Sequence, residues 1–119
     1  MPHPTQMAAA RQGTLTPQMQ QVLGDERISE TDLLERVADG RIAIPANRNH
    51  TSLRARGVGA GLTTKINVNL GVSEDCCNVE RELDKVRRAI ELKADAIMDL
   101  STFGDTRAFR RRAVEISPV

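Results

Sequence analysis

"TKINVNLG" (64–71) and "ADAIMDLST" (94–102) decide the fold. Side chains alternate along a strand, so the first segment carries an aliphatic row, Ile66, Val68 and Leu70, and a polar row, Lys65, Asn67 and Asn69. Between the two segments, "NVERELDKVRRAIEL" sets Val79, Leu83, Val86 and Ile90 on one helical face. After the second strand (95–101) and a "TFGD" turn comes another helix, about 105–115, with Phe109, Ala113 and Ile116 on one side. The order β-α-β-α predicts parallel strands joined by crossover helices, in a doubly wound sheet or a (β/α)8 barrel, and "SPV" (117–119) reads as the opening of a third strand.

Helices cover the outer face of barrel strands, which turns Ile66, Val68 and Leu70 outward and Lys65, Asn67 and Asn69 into the interior. Active sites of such folds sit at the C-terminal ends of the strands, so Asn69 is the best-placed ligand contact on the first strand. An amide both donates and accepts, which suits a polar heterocycle or a sugar hydroxyl. On the second strand, alternation leaves two choices: Ala96, Met98 and Leu100 inward, or Asp95, Ile97 and Asp99. The pattern alone favours Asp99, because a strand methionine is ordinarily packing and a carboxylate at a strand's end is more often a site residue.

Upstream lies a small helical preface, which divides the chain into an N-terminal arm with short helices and loop (1–63) and the start of an incomplete barrel (64–119). The first dozen residues read as an irregular arm. Thr16 with Pro17 opens a short helix, and Ser29 with Asp32 three residues on resembles a capping box, with Asp where Glu is usual, before Leu33, Leu34 and Val37, stopped by Gly40. "RIAIP" (41–45) forms a short extended piece, and a long loop follows. Within that loop Gly57, Gly59 and Gly61 look superficially like a phosphate loop, but a strand follows them instead of a helix, so they read as flexible punctuation.

Composition limits the function classes. The chain has 119 residues, a formal net charge of +1, no Trp or Tyr and two Phe, so its core is built from aliphatic side chains and Met. The basic run "RAFRRRA" (107–113) has no aromatic partners and reads as a solvated helix face rather than a nucleic-acid contact. No apolar run approaches membrane-spanning length and the N-terminus lacks a signal-peptide pattern, so the expectation is a soluble cytoplasmic protein with no membrane partner. Cys76 and Cys77 are adjacent, poor geometry for an ordinary disulfide, and read as free thiols in a loop. His50, in "RNH", has no partner in view and reads as structural rather than as a metal ligand or acid–base group.

Three motifs together, "GRIAIPANRNH" (40–50), "TKINVNLG" and "ADAIMDLST", resemble the N-terminal part of the phosphomethylpyrimidine synthase (ThiC) family, whose usual versions read close to GRAIIPANxNH, VKINANIG and ADTVMDLST. The resemblance covers nearly the whole chain. It implies a (β/α)8 barrel, a radical S-adenosylmethionine mechanism, and 5-aminoimidazole ribonucleotide as the substrate, rearranged to the hydroxymethylpyrimidine phosphate of thiamine. It also implies a homodimer for the full-length protein. The family's substrate-contacting Asn and Met map onto Asn69 and Met98, which keeps Asn69 and overrules Asp99.

Two departures qualify what is carried over. The family's CxxCxxxxC motif for the 4Fe–4S cluster and the histidines for its zinc-type metal have no counterpart here, so the resemblance implies an inactive N-terminal piece of a longer enzyme, without catalytic or metal residues of its own. The other is "STFGDTRAFR": Phe103, Gly104, Thr106, Phe109 and Arg110, with Val68 and Leu70, look more like the paralogous 5-hydroxybenzimidazole synthase of anaerobic cobalamin biosynthesis. That enzyme uses the same substrate and cofactor, so the product stays open between the two. A reading of another class is a non-catalytic phosphoribosyl-binding protein or a split-enzyme subunit, since two parallel strands cannot close a barrel.

Overall fold

A computed structural model describes residues 5–119. The chain separates into two compact units, one taking the chain up to Asn47 together with Arg54–Thr64, the other Arg48–Leu53 and Lys65–Val119.

The first unit is built on three short helices, α1 (Gln6–Arg11), α2 (Pro17–Asp25) and α3 (Glu30–Ala38). Each begins at a residue whose side-chain oxygen accepts one of the orphan amides of the first turn: Thr5 from Ala8, Thr16 from Met19 and Ser29 from Asp32. The caps at Thr16 and Ser29 are those the sequence indicates. Helix α1 corrects the expectation of an irregular arm, whose first four residues lie outside the described ones. Its Ala-rich sequence has high helix propensity, and Ala9 and Ala10 are buried where α1 packs on α3. Met19, Val22, Leu33, Val37, Ile42 and Ile44 complete this aliphatic core.

Strand β1 (Ile42–Ala43) pairs antiparallel with β2 (Val58–Gly59), Ile42 opposite Gly59. The glycine-rich segment is therefore not flexible punctuation. At φ +147°, Gly59 lies so close to its partner that a Cβ would collide with the Arg41 carbonyl oxygen and come within 2.8 Å of Ile42 Cα.

In the second unit, β3 (Asn67–Leu70), α4 (Val79–Glu91), β4 (Ala96–Asp99) and α5 (Thr106–Ile116) alternate, and β3 pairs with β4 in parallel. This is the α/β alternation read from the sequence. Asn78 and Asp105 cap the two helices, accepting from the amides of Arg81 and Ala108. Leu83 and Val86 of α4 and Phe109 of α5 pack with Leu70 and Val72, flanked by Val68, Ile97 and Ala113. Both helices thus cover the same face of the two-stranded sheet.

Three details differ from expectation. Ile66 is 61% exposed, because the helix side chains reach Val68 and Leu70 and stop short of it. Ile116, placed on the buried side of its helix from spacing, is exposed, and Phe109 is the anchor instead. Ser117–Val119 is irregular rather than a strand: the Ser117 carbonyl accepts from the His50 ring and the Ser52 hydroxyl, and its own hydroxyl donates to the Val119 carbonyl.

The close approach at Gly59 gives a test. Gly59→Ala is expected to lower stability by more than about 2 kcal/mol, whereas Gly24→Ala, in a helix with open space around the position, should be neutral or gain up to about 1 kcal/mol. Urea-unfolding midpoints compare the two, and equal effects would refute the close-approach account.

Candidate functional site

Parallel pairing sets Asn67 opposite Ala96, Val68 opposite Ile97, Asn69 opposite Met98 and Leu70 opposite Asp99. One face of the sheet therefore presents Val68, Leu70, Ile97 and Asp99 to the helices, and the other presents Asn67, Asn69, Ala96 and Met98. On this open face the Asn67 amide nitrogen donates to Asn69 Oδ1 at 2.8 Å. That bond engages the Asn69 oxygen and not its amide nitrogen, which is a donor. Beside it, Met98 is 50% exposed. Lys65, the first of the polar row, precedes the ladder.

Asp99, the residue favoured by pattern alone, points the other way. Its side chain lies on the helix side, accepting from the Ser101 N–H at 2.9 Å, from the Ser101 hydroxyl, and from Arg110 Nε at 2.5 Å. Burial is the strongest single influence on this carboxyl and opposes ionisation, yet the Ser101 and Arg110 bonds outweigh it and hold the group below the ordinary carboxylate range. Periodicity did not choose between the rows of β4: Ala96, Met98 and Leu100 are wholly apolar, yet it is Ile97 of the mixed row that packs under the helices.

His50 is likewise accounted for locally. Its Nε2 lies 2.6 Å from the Ser117 carbonyl oxygen, which can only accept, so this nitrogen carries the proton and the ring fastens residues 48–53 to the end of α5. Cys76 and Cys77 are free and exposed, in a turn closed by reciprocal backbone bonds between Ser73 and Cys76. Arg110 pairs with Asp99 and Arg112 with Glu80, so half of the basic run on α5 is ion-paired. Among the described residues no three His, Cys, Asp or Glu side chains gather as a metal site.

A cavity of about 100 Å³ lies on the helix side, lined by Leu70, Val86, Ile97 and Val114 with Asp99 and Arg110. It is far below the roughly 300 Å³ or more usual for small-molecule sites, and on the opposite side of the sheet from Asn69 and Met98.

Glu82 and Ser101 were not singled out in the sequence. Glu82 is 1% exposed, accepting from the Gly71 N–H at 3.0 Å and from Lys85 Nζ at 2.5 Å. Desolvation, the largest influence, works against its charge; Lys85 and the Gly71 amide nevertheless keep its pKa below the usual value. The signal was present: Glu82 falls three residues after Val79 and four before Val86, inside the apolar stripe.

A sequence model of the radical SAM ThiC family matches residues 5–119. The chain belongs to that family. This ThiC-family chain is 58% identical to the phosphomethylpyrimidine synthase of Clostridium tetani over 118 residues, 99% of its own length and 26% of the relative's. The enzymes of the same name from Pelotomaculum thermopropionicum and Alkaliphilus metalliredigens are 58% and 59% identical over 118 residues, 27% of each. The chain thus spans about a quarter of the length of the curated relatives it matches. No helix among its described residues is long and apolar enough to cross a membrane.

The depressed pKa values of Glu82 and Asp99 predict how stability depends on pH. Carboxylates held below their unfolded values contribute stability that is complete above those values and is lost as pH falls through the folded ones. Urea midpoints should therefore drop from about pH 5 downward, and Asp99→Asn, which cannot titrate, should be less stable at neutral pH with a shallower acid limb. An unchanged slope in the variant would contradict the assignment.

Proposed function

We propose that this chain is the N-terminal portion of a phosphomethylpyrimidine synthase, and that β3 and β4 are the first two strands of its (β/α)8 barrel. The enzyme converts 5-aminoimidazole ribonucleotide to hydroxymethylpyrimidine phosphate for thiamine, and Asn69 and Met98 contact that substrate. The observation carrying this reading is the pairing of Asn69 with Met98 on the open sheet face of a chain 58% identical to enzymes of that name. Asn69 supplies a directional donor for the ribonucleotide's polar atoms, and the Met98 thioether an adaptable apolar surface for its ring.

The family's name implies a 4Fe–4S cluster and S-adenosylmethionine, which supply the radical when bound. The residues in hand do not fit the cluster: Cys76 and Cys77 are the only cysteines of the chain, they are adjacent, and no metal-binding group forms among the described residues. Its ligands, and those of the family's zinc-type metal, fall to the remaining three quarters of the length seen in the relatives. What this chain contributes is binding and orientation of the substrate.

The benzimidazole product is the second reading, resting on Phe103, Gly104, Thr106, Phe109 and Arg110 with Val68 and Leu70. Four of these face away from Asn69 and Met98: Phe109, Val68 and Leu70 pack under the helices, and Arg110 pairs with Asp99. The 58% identity to an enzyme named phosphomethylpyrimidine synthase favours the pyrimidine product.

In the enzyme that carries this chain, Asn69→Ala and Met98→Ala should each raise KM for 5-aminoimidazole ribonucleotide about tenfold, with iron content unchanged. Normal turnover by both variants would sink the site assignment, and chromatographic identification of the product separates pyrimidine from benzimidazole.

A further inference from the structure

At the ends of β3 and β4 the backbone leaves the ladder, so its amides need other partners. The Gly71 N–H donates to Glu82 Oε2 at 3.0 Å, and the Val72 N–H to Ser101 Oγ at 2.9 Å. Ser101 in turn gives both its hydroxyl and its own N–H to Asp99 Oδ1. Two backbone bonds continue the pairing beyond the ladder, from Leu100 N–H to the Leu70 carbonyl and from Thr102 N–H to the Val72 carbonyl. Three side chains, Glu82 of α4, Asp99 of β4 and Ser101 two residues beyond β4, thus gather near the point where the two strands end.

This arrangement is costly to build. Glu82 is a carboxylate fully buried in an apolar helix stripe, where an aliphatic residue would pack without desolvating a charge. Gly71, at φ +151°, lies so near β4 that a Cβ would sit 2.5 Å from the Ser101 nitrogen. The strand ends are in direct backbone contact there, one residue from Leu70 and two from Asn69. Register matters in this sheet, because a slip by one residue exchanges the polar and apolar rows.

We propose that Glu82, Asp99 and Ser101 form a register lock: positioning residues of which Ser101, held by Asp99, ties the end of β3 to that of β4, while Glu82 ties the end of β3 to α4, so that Asn69 stays beside Met98. The proposal rests on the reading of those two residues as the substrate face. It also assigns the acid and the serine of the "MDLS" motif a role distinct from that of its methionine: Met98 faces the substrate, while Asp99 and Ser101 fasten the strand that carries it. Arg110, an outer partner of Asp99, lies outside the lock.

The test uses the enzyme that carries this chain, measuring KM and kcat for 5-aminoimidazole ribonucleotide alongside Tm. Ser101→Ala and Glu82→Leu are expected to raise KM about tenfold, as loss of a supporting bond loosens the groups above it. Glu82→Gln, which keeps an acceptor for the Gly71 amide, should return KM to within about threefold, and Arg110→Ala should leave it within about twofold. If Glu82→Leu does not fold, Ser101→Ala, which removes a single oxygen, carries the test. A fall in Tm with KM unchanged in Ser101→Ala would overturn the lock and leave the substrate face standing. Unchanged KM in both Asn69→Ala and Met98→Ala would overturn the substrate face and the lock with it.

Discussion

The second unit depends on the parallel pairing of β3 with β4 beneath two helices that cover the same side. Two short strands do not hold a sheet together alone, and burial of Val68, Leu70 and Ile97 against Leu83, Val86 and Phe109 supplies what their hydrogen bonds cannot. Once that face is committed to the core, alternation leaves the other open, with Asn67, Asn69, Ala96 and Met98 upon it. The aliphatic row fixes the orientation of the polar row. An open face of amides and a thioether is thus a consequence of where the apolar residues had to go.

Much of this was legible in the residues. The spacing of Val79, Leu83, Val86 and Ile90, and the alternation in "KINVNLG", gave the order β-α-β-α, and the oxygen-bearing residues Thr16 and Ser29 marked two helix starts. What was hidden depended on contacts distant in sequence. Six residues do not sustain a helix by propensity, so α1 exists through the burial of Ala9 and Ala10 on α3. Gly59 reads as loop until its partner Ile42 is known. The face taken by Asp99 was undecidable from periodicity, and its bonds to Ser101 and to Arg110, one turn into α5, are visible only in the fold.

The same contrast separates the two halves of the "MDLS" segment. Adjacent residues in a strand serve opposite faces, so a short motif can combine a ligand-facing side chain with the side chains that anchor it. Asp99 would be mistaken for a catalytic acid on chemistry and position alone, whereas its bonds show a carboxylate spent on Ser101 and Arg110. His50, bound to the Ser117 carbonyl, teaches the same lesson.

The most direct measurement of the central claim is a crystal structure of the enzyme that carries this chain with 5-aminoimidazole ribonucleotide bound. The account predicts the Asn69 amide within hydrogen-bonding distance of the ligand, with the Met98 thioether in van der Waals contact beside it on the same open face. A ligand bound on the helix side of β3 and β4, or one touching neither residue, would contradict it.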